Sequence, residues 1–113
     1  MSKDLADLLF PNIKKNRAGI EQEYKKRNLP LNAEVLRVAP SPTGPMHIGT
    51  LYMSLISRDI ARKSGGVFIL RIEDTDQARE VDGARVFIVK TLNDYDLTPD
   101  EGENLEGKEV GDY

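Results

Sequence analysis

The sequence contains no cysteine, which excludes a disulfide framework and a cysteine-ligated zinc site. No apolar run exceeds four residues, as in Val67-Phe68-Ile69-Leu70, whereas a bilayer-spanning helix needs about twenty. Met1-Ser2-Lys3-Asp4 shows no signal-peptide pattern. These absences argue against membrane spanning and export and for a cytoplasmic protein. Neither Gly-x-x-x-x-Gly-Lys-Ser/Thr nor Gly-x-Gly-x-x-Gly occurs, so the usual P-loop and dinucleotide readings lack their residues. There is no internal repeat, and 113 residues hold at most one domain with a core near the lower limit of independent stability.

The net charge of −3 hides an asymmetry. Residues 1–72 carry twelve Lys and Arg against six Asp and Glu; residues 73–113 carry four against thirteen. A polyanion would approach the basic part, although solvated helix surfaces also produce such charge.

The informative stretch is Ala39-Pro40-Ser41-Pro42-Thr43-Gly44-Pro45-Met46-His47-Ile48-Gly49-Thr50. It follows the apolar run Val35 to Val38 and precedes Ile48, Leu51, Tyr52, Leu55, Ile56 and Ile60, spaced as one helix face. Strand, tight loop and helix are expected in that order. Three prolines and Gly44 restrict the loop, so little ordering entropy remains to be lost when a ligand binds. A helix starting near Met46 or His47 offers unpaired amides and a positive dipole end to phosphate. Thr43 and His47 can donate hydrogen bonds to phosphate oxygens, and Gly49 leaves room for a nucleoside.

Gly65-Gly66 should end that helix, with a second strand over Val67 to Ile72 covered on both faces. Val81, Ala84, Ile88, Leu92 and Tyr95 then recur as a helix face. The fold class expected is α/β, two parallel βα units. Residues 1–34 read as a helical extension, with Leu5, Leu8 and Leu9 on one short face and Ile13, Ile20 and Tyr24 suggesting a second helix. Its cations Lys14, Lys15, Arg17, Lys25, Lys26 and Arg27 suit either an RNA acceptor stem or a solvated face. Residues 35–97 form the ligand-binding unit. Residues 98–113, with six acids and three glycines, read as an acidic, mobile tail. Ligands of such sheets sit beyond the carboxyl ends of the strands, where Ser41 to His47 and Glu73 to Asp76 fall.

Arg37-x-Ala-Pro-Ser-Pro-Thr-Gly-x-x-His47-x-Gly49, followed one helix later by Gly65-Gly66-x-x-x-x-Arg71-Ile-Glu-Asp-Thr-Asp76, resembles the start of the catalytic domain of bacterial-type glutamyl-tRNA synthetases, class I enzymes with a Rossmann-like fold. The resemblance is strong over a little under half of the chain and weaker over residues 81–97. It implies that ATP and glutamate give glutamyl-adenylate, from which the glutamyl group passes to tRNA(Glu), with Mg2+ accompanying the ATP. By motif position, Arg37 would pair with the glutamate side-chain carboxylate, completed by Ser41 and the backbone of Ala39, while Glu73 would hold the ammonium group. His47 and Thr43 would serve as catalytic phosphate contacts, with Gly49 and Thr50 completing the ATP site. Thr50 stands where the generic His-Ile-Gly-His motif has its second histidine, which weakens one phosphate or ribose contact. Ser41 points to the bacterial type, since related glutaminyl and archaeal-type enzymes carry an acid there.

No Lys-Met-Ser-Lys-Ser-like segment occurs in these residues, so an amino-terminal fragment, inactive alone, is expected. Two strands alone leave both sheet edges unpaired, and self-association is expected through them. The alternatives are a glutamyl-queuosine-type paralogue that loads a modified tRNA base, and a non-catalytic nucleotide-binding module. Individual residues also have plainer readings. His47 suits a surface position, Arg37 can balance Glu34, and Glu73, Asp74 and Asp76 suit a metal site or a helix start.

Overall fold

The computed structural model describes residues 3–73 and 77–111. Two short helices, α1 (Lys3–Leu9) and α2 (Arg17–Glu23), precede strand β1 (Val35–Val38), helix α3 (Ile48–Ser64) and strand β2 (Val67–Leu70). A single 3-10 turn at Gln77–Arg79, helix α4 (Ala84–Asp94) and strands β3 (Gly102–Glu103) and β4 (Glu109–Val110) follow.

β1 and β2 are parallel, in register from Val35 opposite Val67 to Val38 opposite Leu70. The connection between them depends on the glycine pair. Gly65 closes α3 in the left-handed region at φ 69°, and its amide and that of Gly66 bond the carbonyls of Arg62 and Ala61. A side chain at Gly66 would place its Cβ 1.9 Å from the Glu34 carbonyl oxygen, which accepts the Val67 amide at 3.1 Å. Only glycine fits where the helix turns directly into the ladder. The strand ends at Leu70 rather than Ile72, but pairing continues: the Arg71 amide bonds Val38 O and the Glu73 amide bonds Pro40 O, both at 3.0 Å.

The core gathers Val38, Ala61, Phe68, Leu70, Ile88, Val89, Leu92 and Leu97. Phe68 and Leu70 share one face of β2 by the period of two, so α3 and α4 both pack on that face. Cover on both faces was expected for β2, and the described residues give it on one: Val67 and Ile69 are only half-buried. The reason is that both crossover helices lie on the same side. In α4, Ile88 and Leu92 are buried as the spacing requires, while Val81 and Tyr95 fall outside the helix and are exposed.

The outer edge of β2 is not open. Leu97 is buried, the Asp100 amide bonds Phe68 O at 2.9 Å, and the Leu70 amide bonds Glu101 O at 2.9 Å. Ile69 and Glu101 thereby form a parallel bridge, and residues 100–102 hold a third parallel position in the sheet. This corrects the expectation of two unpaired edges, leaving the far edge of β1 without a strand partner among the described residues. The acidic composition of residues 98–113 did not anticipate this pairing, because it is made by backbone groups. β3 and β4 continue the segment as an antiparallel pair.

α1 and α2 stand apart from this core. Leu5, Leu8 and Leu9 are 45%, 76% and 55% exposed, so the apolar face of α1 stays outside the core cluster of the described residues. Asn16 caps α2 by accepting the Gly19 amide at 2.9 Å. The radius of gyration, 17.6 Å, exceeds the roughly 13 Å of a closed domain of this length, as an outlying extension and a one-sided sheet require.

Candidate nucleotide and amino-acid site

The residues singled out in the sequence collect at the carboxyl ends of β1 and β2. Beyond Val38 the chain is clamped at alternate positions: Pro40 O accepts the Glu73 amide, and Pro42 O accepts the Val81 amide at 2.9 Å. Pro42 is fully buried, so its neighbours Ser41 and Thr43 project outward. The loop is therefore held by backbone bonds, with its hydroxyls left exposed.

His47 is the N-cap of α3, one residue before the helix begins, in an extended conformation (φ −77°, ψ 151°). Its imidazole makes no capping bond and is exposed, while its carbonyl accepts the amides of Thr50 and Leu51 at 3.0 and 3.2 Å. The amides of Ile48 and Gly49 have no acceptor among the described residues, which is the arrangement that receives an anion. Ser41, Thr43, His47 and Thr50 line one cavity of about 390 Å³ with Pro40, Gly44, Pro45, Met46 and Ile88. Ile88 comes from α4, a contribution that sequence reasoning missed because it read Ile88 only as core.

Gly49 opens on another side of the helix start. It lines an apolar groove of about 470 Å³ with Ile48, Leu51, Tyr52, Leu55, Tyr95 and Leu97. A Cβ placed at Gly49 meets nothing within 4 Å, so no packing among the described residues explains the absent side chain. The polar cavity and the apolar groove share the first turn of α3.

Arg37 and Glu73 meet beside the loop. Arg37 lies on the exposed side of β1, and its guanidinium is 3.5 Å from the Glu73 carboxylate, with Arg71 at 3.9 Å. Among the described residues the ion-pair partner of Arg37 is Glu73 and not Glu34. The Glu73 amide bond to Pro40 sets the Arg37 pairing, because it carries the backbone pairing three residues past β2. Exposed pairs of this length contribute little stability. Both groups therefore remain available to a ligand with a carboxylate and an ammonium. Ala39 is half-buried between Val38 and Pro40. Asp74 and Asp76, read as possible metal ligands, lie outside the described residues, and the described residues contain no group of three or more His, Cys, Asp or Glu suited to a metal ion.

One ion pair has no precursor in the sequence reading. Glu101, 4% exposed, receives Arg27 Nε at 3.0 Å and Nη2 at 2.6 Å across 74 residues. Nothing in either local sequence announces such a contact.

Comparison with known proteins places this geometry. The family described as "tRNA synthetases class I (E and Q), catalytic domain" matches residues 34–110. The glutamate–tRNA ligase of Clostridium perfringens is 50% identical over 111 residues, 98% of this chain and 20% of that protein. That of Acetivibrio thermocellus is 47% identical over 112 residues, again 98% and 20%. A crystal structure of a glutamate tRNA ligase from Elizabethkingia meningosepticum, in complex with its amino acid, superposes with a TM-score of 0.59 at 44% identity, covering 62% of this chain and 14% of that one. The chain spans about a fifth of the length of the curated relatives it matches. Its two parallel βα units, with the proline-rich loop at their carboxyl ends, are the start of a Rossmann-like catalytic domain, and the chain belongs to the class I tRNA synthetases (E and Q).

Proposed function

We propose that these residues form the ATP- and glutamate-facing part of a glutamate–tRNA ligase, with residues 35–97 as the ligand-binding unit and residues 1–34 as an extension. The observation that carries the reading is the meeting of the Arg37–Glu73 pair with the Ser41–Thr50 cavity at one end of the sheet. Arg37 receives the side-chain carboxylate of glutamate, a role suited to a planar guanidinium, and Glu73 the ammonium group. Ser41 and the Ala39 backbone complete that contact. Thr43, His47 and the amides of Ile48 and Gly49 face the phosphates of ATP, Thr50 stands beside them, and the nucleoside lies over Gly49.

An α-carboxylate oxygen of glutamate attacks the α-phosphorus of ATP, the bond to pyrophosphate breaks, and glutamyl-adenylate forms. A hydroxyl of the terminal ribose of tRNA(Glu) then attacks the acyl carbon and AMP leaves. The contribution of this chain is positioning and charge stabilisation from one side of the phosphates. Mg2+ fits here as an ion carried by the phosphates, since it keeps most of its own water and is not caged by protein. Alone, the 113 residues are expected to bind ATP weakly, to charge no tRNA, and to self-associate through the edge of β1 and the apolar groove.

Glutamate-dependent ATP–pyrophosphate exchange, measured on this chain and on a longer protein that contains it, tests the reading. Exchange in the longer protein that survives Arg37→Ala and His47→Ala together would remove it.

A further inference from the structure

We propose that the surface made by residues 24–35, at the amino ends of the strands, is a contact site for an RNA sugar–phosphate backbone, with Lys25 and Lys26 as its phosphate-binding side chains. The choice of RNA rests on the proposed function; the choice of surface does not.

Three cations of the extension are already neutralised. Lys15 is paired with Glu23, Arg17 with Glu21 at 2.7 Å, and Arg27 with buried Glu101. Lys14, Lys25 and Lys26 have no acidic partner among the described residues. Lys25 and Lys26 are exposed and line an open concavity of about 780 Å³ together with residues 29–33. The one acid of its lining, Glu21, is occupied by Arg17, and Glu34, exposed between Ala33 and Val35, does not line it. Two adjacent uncompensated lysines over a broad open surface suit a chain of repeating negative charge better than a single small anion.

The location separates this surface from the nucleotide loop. Val35, the first residue of β1, lies on its wall, and the Pro30 ring comes within 3.1 Å of where a Gly65 side chain would begin, at the entry to β2. The loop at Pro40 to Thr50 lies at the other end of the strands. Four strand residues alone set the two apart by roughly 13 Å. An RNA held at Lys25 and Lys26 is therefore gripped away from its reacting end, and the contact governs affinity rather than chemistry. The family region begins at residue 34, yet the match to the Clostridium perfringens glutamate–tRNA ligase covers 111 of the 113 residues and so takes in this extension.

The test is a salt titration of an unmodified tRNA transcript against the 113-residue chain, in wild type, the Lys25→Gln/Lys26→Gln variant, and a Lys90→Gln/Lys108→Gln control away from the concavity. Circular dichroism and the urea midpoint establish that all three are folded alike. The first variant is expected to bind roughly tenfold more weakly near physiological salt, and its log–log salt slope to fall by nearly two, with the control matching wild type. An unchanged slope, or an equal loss in the control, overturns the proposal. Displacement of the RNA by ATP would put the RNA over the nucleotide loop and overturn it too. So would a poly-aspartate peptide binding as tightly as RNA, which would mark a site for an acidic protein segment. Failure of pyrophosphate exchange would remove the proposed function and leave a positive salt-slope result standing.

Discussion

Replacing Arg27 by methionine keeps most of its aliphatic volume and removes the charge that faces Glu101. The Glu101 side chain is 5% exposed and Arg27 22% exposed, so the carboxylate has little access to water once its partner is gone. Breaking a buried pair from one side costs about 3–5 kcal/mol. Solvent reaches the Arg27 side of this pair, which lowers the expected loss to about 2–3 kcal/mol. A domain of this size has on the order of 5–15 kcal/mol in total, so the urea midpoint should fall by a large fraction. The effect should reach beyond the extension, because Glu101 also anchors the third parallel position through the Leu70 amide. Equilibrium urea unfolding followed by far-ultraviolet circular dichroism gives the loss. Adding Glu101→Gln to Arg27→Met should return part of it, since no buried charge then remains unpaired. If Arg27→Met leaves the midpoint in place, or the double variant is the plain sum of the singles, the pair is not a buried electrostatic contact and the reasoning is wrong.

Gly49→Ala should leave the fold intact or raise its stability by up to about 1 kcal/mol, since the new methyl meets nothing and glycine is a poor helix former. ATP binding by titration should nevertheless weaken at least tenfold, a flat result arguing against a nucleoside over the first turn of α3. Gly66→Ala should cost about 1–3 kcal/mol or more by thermal unfolding, because its Cβ would fall 1.9 Å from the Glu34 carbonyl oxygen. Arg37→Ala should change stability by less than about 1 kcal/mol, the pair being exposed and 3.5 Å long, while costing glutamate binding in the longer protein about 2–5 kcal/mol. An unaltered Michaelis constant for glutamate would make Arg37 a surface residue. Sedimentation velocity of the 113-residue chain at several concentrations should show a mass that rises with concentration, and a sharp monomer throughout would show that the edge of β1 and the groove at Tyr52 are tolerated in water.

The local geometry was legible because it is decided over a few residues. Glycine adopts the left-handed conformation that ends a helix at little cost, so the Gly65-Gly66 pair marked the end of α3; a proline-rich loop between an apolar run and a helical period marked the strand–loop–helix turn. The pairing of β1 with β2 also followed, since two short apolar strands joined by one helix have few other arrangements. Other features depended on the path of the whole chain. The sequence contains Arg27 and Glu101 but no local pattern that joins them; they meet because residues 100–102 fall into register beside Ile69. It contains Ile88 as a core position, and only the packing of α4 against the loop makes it a wall of the cavity. The acids of residues 98–113 argued for a solvated tail, whereas the backbone groups that pair along β2 are common to every residue and carry no compositional mark. The sequence by itself determined which residues are the candidates for the site and in what order they follow the strands. Tertiary structure decided which of them face one another, because contacts across 36 or 74 residues are set by strand register and helix placement rather than by neighbouring side chains.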